Sequence, residues 1–168
     1  MNASMASLSL LMLTIAGGAC AAATAVAAEQ KMHPASPADI ARGKYLVRIS
    51  GCNDCHTPGY IQSDGKVEEK VWLTGSPLGW RGPWGTTYAS NLRLVLQPLN
   101  EEQWLKYART PRRPPMPWFN LAAMTDKDLR AIYAYVRKLG PAGDPVPAYV
   151  PPDQEPKGPF VTFPAPPK

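Results

Sequence analysis

Residues 52–56 read Cys-Asn-Asp-Cys-His, and no other stretch narrows the possibilities for this chain so far. On one helical turn, positions i, i+3 and i+4 share a face, so Cys52, Cys55 and His56 project from a single patch. Two thiols and an imidazole in that arrangement form C-x-x-C-H, the attachment motif for c-type haem. Both sulfurs reach the vinyl groups of one porphyrin as thioethers, and the imidazole reaches its iron. A closed zinc site needs four ligands. Beyond residue 28 the chain offers these three and a distant His33, and adjacent Cys55 and His56 are awkward partners on one tetrahedral ion. A thioredoxin-like pair needs its C-x-x-C between a strand and a helix. The upstream residues ADIARGKYLVRIS instead carry Ile40, Gly43, Leu46 and Val47 on one helical stripe.

A six-coordinate haem takes a second axial ligand, normally His or Met. His33 lies beside Pro34 and Pro37 and reads as a solvated tail residue. Two methionines follow the motif, Met116 and Met124. Met124 precedes Thr125, a good helix N-cap, with Asp128 at the third helical position; Met124 and Leu129 then form a hydrophobic staple. Met116 has no such structural task. It sits in Pro114-Pro-Met-Pro117-Trp118, where three prolines fix φ and forbid a helix. A stiff loop holds a thioether at a set distance with little ordering entropy on ligation. Met116 is the expected partner of His56 on the iron, the alternative being an ordinary buried methionine.

The chain has 168 residues, enough for one domain with tails. Leu8–Ile15 is a short apolar run followed by the small-residue tract GGACAAATAVAA, an export signal pattern with cleavage expected after Ala28. The run is too short to span a bilayer, which takes about 20 residues. The alternatives are a buried N-terminal helix or a lipid anchor at Cys20. Every charged residue lies beyond residue 28, so the net charge of +5 belongs to the mature part. The charge is dispersed, with no basic run interleaved with aromatics, so nucleic-acid binding is excluded in favour of a mildly cationic face for an acidic protein partner.

Capping signals mark the helices. The first is expected over residues 38–51, a second from an Asn100 cap with Gln103 to about Arg109, and a last over about Asp126–Leu139 before Gly140-Pro141. Ile132, Tyr135 and Val136 form the apolar face of the last helix. Thr57–Leu96 reads as loops, with a possible hairpin at Asp64-Gly65. Trp72, Trp80 and Trp84 are read as either haem-packing walls or ordinary core. From Pro141 onward proline density rules out a helix or a central strand. The tail is extended or disordered there. Its Tyr149, Phe160 and Phe163 suit wrapping the domain or meeting a partner, and a plain linker is equally compatible.

The order Gly43, Cys52-Asn-Asp-Cys-His56, Tyr88-Ala-Ser-Asn91-Leu92, Met116-Pro-Trp118 and Met124-Thr-Asp-Lys-Asp-Leu129 resembles the class I c-type cytochromes of bacterial periplasms. The middle and the Met-Pro-Trp region are similar to one module of the cytochrome subunits of membrane-bound alcohol and sugar dehydrogenases. The resemblance implies an all-α cytochrome c fold: three to four helices around one covalent haem c, with long loops and an extended Pro-rich C-terminal tail. It implies an export signal over 1–28, a cytochrome c domain over 29–140 and a tail over 141–168. It also implies that the last helix crosses the first near Gly43. The expected function is a periplasmic electron carrier, not an enzyme, in which Cys52 and Cys55 hold the haem and His56 and Met116 ligate its iron. Arg109, Arg112 and Arg113 are expected either to steer an acidic face of a dehydrogenase or terminal oxidase, or else to pair with haem propionates or be merely solvated. The rivals are a peroxidase-like enzyme and a gas-binding sensor with a labile methionine.

Overall fold

Ser36 opens the first helix, α1 (Pro37–Ile49), through a reciprocal capping box. Its hydroxyl accepts from the Asp39 N–H, while the Asp39 carboxylate accepts from the Ser36 N–H. Gly51, at φ 70°, turns the chain where other residues are strained, and α2 (Cys52–His56) follows as a single helical turn. After a 3₁₀ turn at Glu69–Val71 come two short strands, β1 (Gly79–Gly82) and β2 (Gly85–Tyr88), then α3 (Leu92–Val95). Asn100 and Gln103 form the expected box at the start of α4 (Glu101–Ala108). A short α5 (Trp118–Ala122) leads to α6 (Asp126–Leu139), which starts at Thr125 and stops at Gly140 as the sequence predicts. The last described element is β3 (Phe160–Thr162). This computed structural model describes residues 35–163. The export signal expected over 1–28, Cys20 and His33 lie outside those residues.

The core forms where α1 crosses α6, at Gly43. Leu46 and Val47 of α1 pack with Leu129, Ile132 and Val136 of α6, and Trp104 of α4 closes the cluster. Each such side chain contributes about 1.5–3 kcal/mol on burial. Polar tips inside this core are satisfied: the Trp104 indole donates to the Leu129 carbonyl at 2.7 Å, and the Tyr135 hydroxyl donates to Glu69 Oε1 at 2.9 Å. Asp128 does not complete the capping box approximated in the sequence. Its carboxylate accepts from Arg42 Nε at 3.0 Å instead, tying α6 to α1.

Arg93 carries no signal in the sequence, yet it is 5% exposed. Its guanidinium donates to the carbonyls of Lys70 and Gly140, both at 2.6 Å, and to that of Leu139. It therefore caps the C-terminal end of α6, where unpaired carbonyls and the negative helix end favour a cation.

The fold is helix-rich as expected, but the described residues form six helices rather than three to four, with α3 inside the stretch read as loops and α5 unanticipated, and they add a three-stranded sheet in the order β2-β1-β3. β1 pairs antiparallel with β2 and parallel with β3. The turn at Asp64-Gly65 does form, with both residues at positive φ, but no strands flank it. The hairpin lies at residues 79–88 instead. The tail avoids helix and central strand, as its prolines require, and joins the sheet at its edge. Among the described residues no helix is long and apolar enough to cross a membrane.

Candidate functional site

The helices, the hairpin and the tail enclose a cavity of about 620 Å³. That volume lies within the range of about 300–1,000 Å³ typical of small-molecule and cofactor sites. Cys52, Cys55 and His56 line it from α2, and Met116 lines it from the proline loop. The structure thus brings together all four residues singled out from the sequence. Its apolar walls come from the core, among them Leu73, Leu96, Trp104, Ile132 and Val136.

The imidazole is fixed by a backbone contact. His56 Nδ1 lies 2.7 Å from the Ser90 carbonyl oxygen. A carbonyl only accepts, so Nδ1 carries the proton and Nε2 keeps the free lone pair that a metal requires. Burial holds the His56 pKa below its ordinary value, against an opposing pull from the Ser90 bond. The neutral imidazole is the ligating form. Behind it, the Gly75 N–H donates to the His56 carbonyl at 2.8 Å. The Thr57 hydroxyl donates to Asn53 Oδ1 at 2.7 Å and accepts from the Leu73 N–H at 2.8 Å. This buried relay anchors the motif turn to the following loop.

The cysteines are free thiols, so no disulfide occupies the C-x-x-C spacing. Burial pushes the Cys52 thiol up to about 11, and burial followed by the Asp54 charge raises Cys55. Both are neutral S–H groups near neutral pH, the form whose sulfur and hydrogen are both retained on addition across a vinyl double bond. Among the described residues no group of three or more His, Cys, Asp or Glu side chains is placed to hold a metal ion; His33, the fourth ligand weighed for zinc, lies outside them.

Both downstream methionines line the cavity. They differ in what else holds them: Met124 packs against the hydrophobic core, whereas Met116 does not belong to it. Arg112 and Arg113 line the cavity too, while Arg109 is turned away to pair with Asp126. The Arg112 guanidinium stacks 4.1 Å over the Tyr107 ring and donates to the Tyr107 carbonyl at 2.6 Å. Of Trp72, Trp80 and Trp84, it is Trp80 that lines the cavity. Trp72 is core, donating to the Val67 carbonyl at 2.9 Å and meeting Tyr60 edge-on. Trp84 packs against Phe163.

Sequence reasoning missed Ser90, which acts through its backbone carbonyl and so leaves no side-chain signal. It also left open the tail residues Val146, Pro147 and Tyr149, which form part of the wall. The donor set and the cavity fit a haem: two thiols on one helical turn, an imidazole with a free nitrogen, a thioether, and two arginines in the wall.

A family model described as Cytochrome c matches residues 40–140. That span is more than half of the chain, and the chain belongs to the cytochrome c family. Membership brings a covalently bound haem c with its iron and the general role of a haem-based electron carrier. No curated protein and no solved structure matches the chain.

Proposed function

We propose that this protein is a periplasmic single-haem electron carrier, with Cys52 and Cys55 as the thioether anchors and His56 and Met116 as the axial ligands. When bound, the haem iron supplies a one-electron ferric/ferrous couple. One observation carries the reading: a histidine whose Nδ1–H is committed to the Ser90 carbonyl shares a buried, largely apolar cavity with a thioether held outside the hydrophobic core. His56 presents the nitrogen. Met116, on a loop stiffened by Pro114, Pro115 and Pro117, presents the sulfur. With both axial positions held by the chain, no coordination site would remain for a substrate.

His/Met ligation raises the potential of haem iron, and an apolar cavity raises it further by disfavouring the charged ferric form. Arg112 and Arg113 hold two cations beside the cavity. They suit an acidic docking face on a dehydrogenase or terminal oxidase, and reaction with such a partner slows as salt rises. Export to the periplasm rests on the apolar and small-residue pattern of residues 8–28. The peroxidase-like and gas-sensing alternatives need an open iron and a distal group to assist bound oxygen. His56 is the one histidine among residues 35–163, and it is taken up as the proximal ligand.

Carbon monoxide added to the reduced holoprotein tests the reading. A closed iron leaves the ferrous spectrum unchanged, together with a reversible one-electron titration. Ready carbon monoxide binding would favour the enzyme or sensor.

A further inference from the structure

The outer wall of the cavity is built by the chain beyond α6, outside the residues that the family model matches. Val146, Pro147 and Tyr149 line it. This strap is fastened at four places. The Asn91 side-chain amide donates to the carbonyls of Ala142 and Asp144, at 2.8 and 3.2 Å. Asn91 directly follows Ser90, whose carbonyl orients His56. Thr86 and Val150 exchange two backbone hydrogen bonds, at 2.7 and 3.0 Å. The half-buried Arg81 guanidinium donates to the Gln154 carbonyl at 2.8 Å and pairs with Glu155 at 2.9 Å. Last, β3 adds to β1, and Phe163 packs between Trp80 and Trp84. A proline-dense tail held this way costs little ordering entropy, because its φ angles are already fixed.

Tyr149 links the strap to the loop that carries Met116. Its hydroxyl donates to the Trp84 carbonyl at 2.8 Å, which fixes the ring on the hairpin. The Arg113 guanidinium stacks 4.0 Å over that ring. The next residue, Pro114, has its carbonyl bound by the Thr87 hydroxyl at 2.8 Å. The loop is therefore gripped at two consecutive residues just before Met116, and between grip and sulfur the prolines leave little backbone freedom.

We infer that Tyr149 is a positioning residue for Met116, so that the C-terminal strap is a working part of the haem site. The inference rests on Met116 being the axial ligand. Through Arg113, Tyr149 holds the thioether in place and keeps the loop from swinging away. Loosening the grip raises the fraction of molecules in which the iron is open, and an exogenous ligand reads that fraction directly.

Imidazole titrated into the ferric holoprotein is the probe. Tyr149→Leu removes the stack and should make imidazole bind about two- to fivefold more tightly, as expected for a cation–π contact at a partly exposed site. Tyr149→Phe keeps the ring over Arg113 and should restore most of the wild-type affinity. Arg113→Gln removes the same contact from the loop side without touching the strap. It should match Tyr149→Leu, and the double variant should add nothing to either. Unchanged imidazole affinity in Arg113→Gln overturns the inference, even if Tyr149→Leu fails to fold. Met116→Ala separates the two levels. If it binds imidazole far more tightly than wild type while Arg113→Gln does not change, the positioning role fails and the ligation stands. If Met116→Ala binds imidazole as wild type does, the ligation itself is wrong and both fall.

Discussion

Gly43 of α1 lies directly against the backbone of Ala131 on α6. A Cβ added at Gly43 would stand 2.8 Å from the Tyr135 Cβ and closer still to the Ala131 carbonyl oxygen. The obstruction is helix backbone, which cannot step aside as a flexible side chain would. The crossing that builds the core therefore depends on the missing methyl group.

Gly43→Ala sets two effects against each other. Alanine gains about 1 kcal/mol in helix propensity, but overpacking a rigid contact costs about 1–3 kcal/mol and occasionally more. Because the clash is with backbone, overpacking wins. With the cost at the upper end of that range, the holoprotein should lose a net of about 1–2 kcal/mol, read as a lower denaturant midpoint. An unchanged or raised midpoint would contradict the crossing geometry.

Arg93 is the second structural lock. Arg93→Met keeps the apolar stem but leaves the carbonyls of Lys70, Leu139 and Gly140 without their donor. The three carbonyls are part-buried, so water recovers some of what they lose, and the expected loss is about 1–3 kcal/mol by chemical denaturation. Arg93→Lys recovers little, because a compact ammonium does not span three acceptors as the planar fork does.

The Arg42–Asp128 pair gives a pH signature. The Arg42 bond, more than any other group, holds the Asp128 carboxyl below its ordinary value in the folded chain. A depressed folded pKa contributes stability that is fully present above the unfolded value of about 3.9. That stability is lost as the pH falls through the folded value. The pair is partly exposed, so its contribution is about 0.5–1 kcal/mol. Asp128→Asn should be less stable than wild type at neutral pH and equal to it in strong acid. A deficit that persists in acid would assign the effect to packing.

The haem should be needed for folding. The cavity of about 620 Å³ is walled by much of the hydrophobic core, and without an occupant those side chains lose their packing partners on one side. A Cys52→Ala, Cys55→Ala double variant, which has no anchor for the porphyrin, should show no cooperative thermal transition by circular dichroism. A sharp native-like melt would show that the walls pack without it.

What is legible in the sequence and what is hidden follow from range. Asn100, Gln103, Thr125 and Gly140 act on their own helices, so the limits of α4 and α6 can be read from a few residues. The C-x-x-C-H turn is local too. The sheet is not: β1 and β2 are four residues each, β1 with glycine at both ends and β2 with glycine at its start, too short for alternation to register, and β3 comes from a distant proline-dense tail. The same range hides Arg93, whose partners lie 23 to 47 residues away. It hides the Ser90 carbonyl, 34 residues from His56. Local tasks separate the two methionines in the sequence. Met124 does pack with the core, but both reach the cavity, so position alone does not choose between them.

That choice is decided by the near-infrared-edge absorption band that a methionine sulfur gives on ferric haem. If Met116 closes the iron, the wild-type holoprotein shows the band, Met124→Leu retains it, and Met116→Ala loses it while the haem stays covalently attached. A band that survives in Met116→Ala would contradict the ligation on which the carrier reading stands.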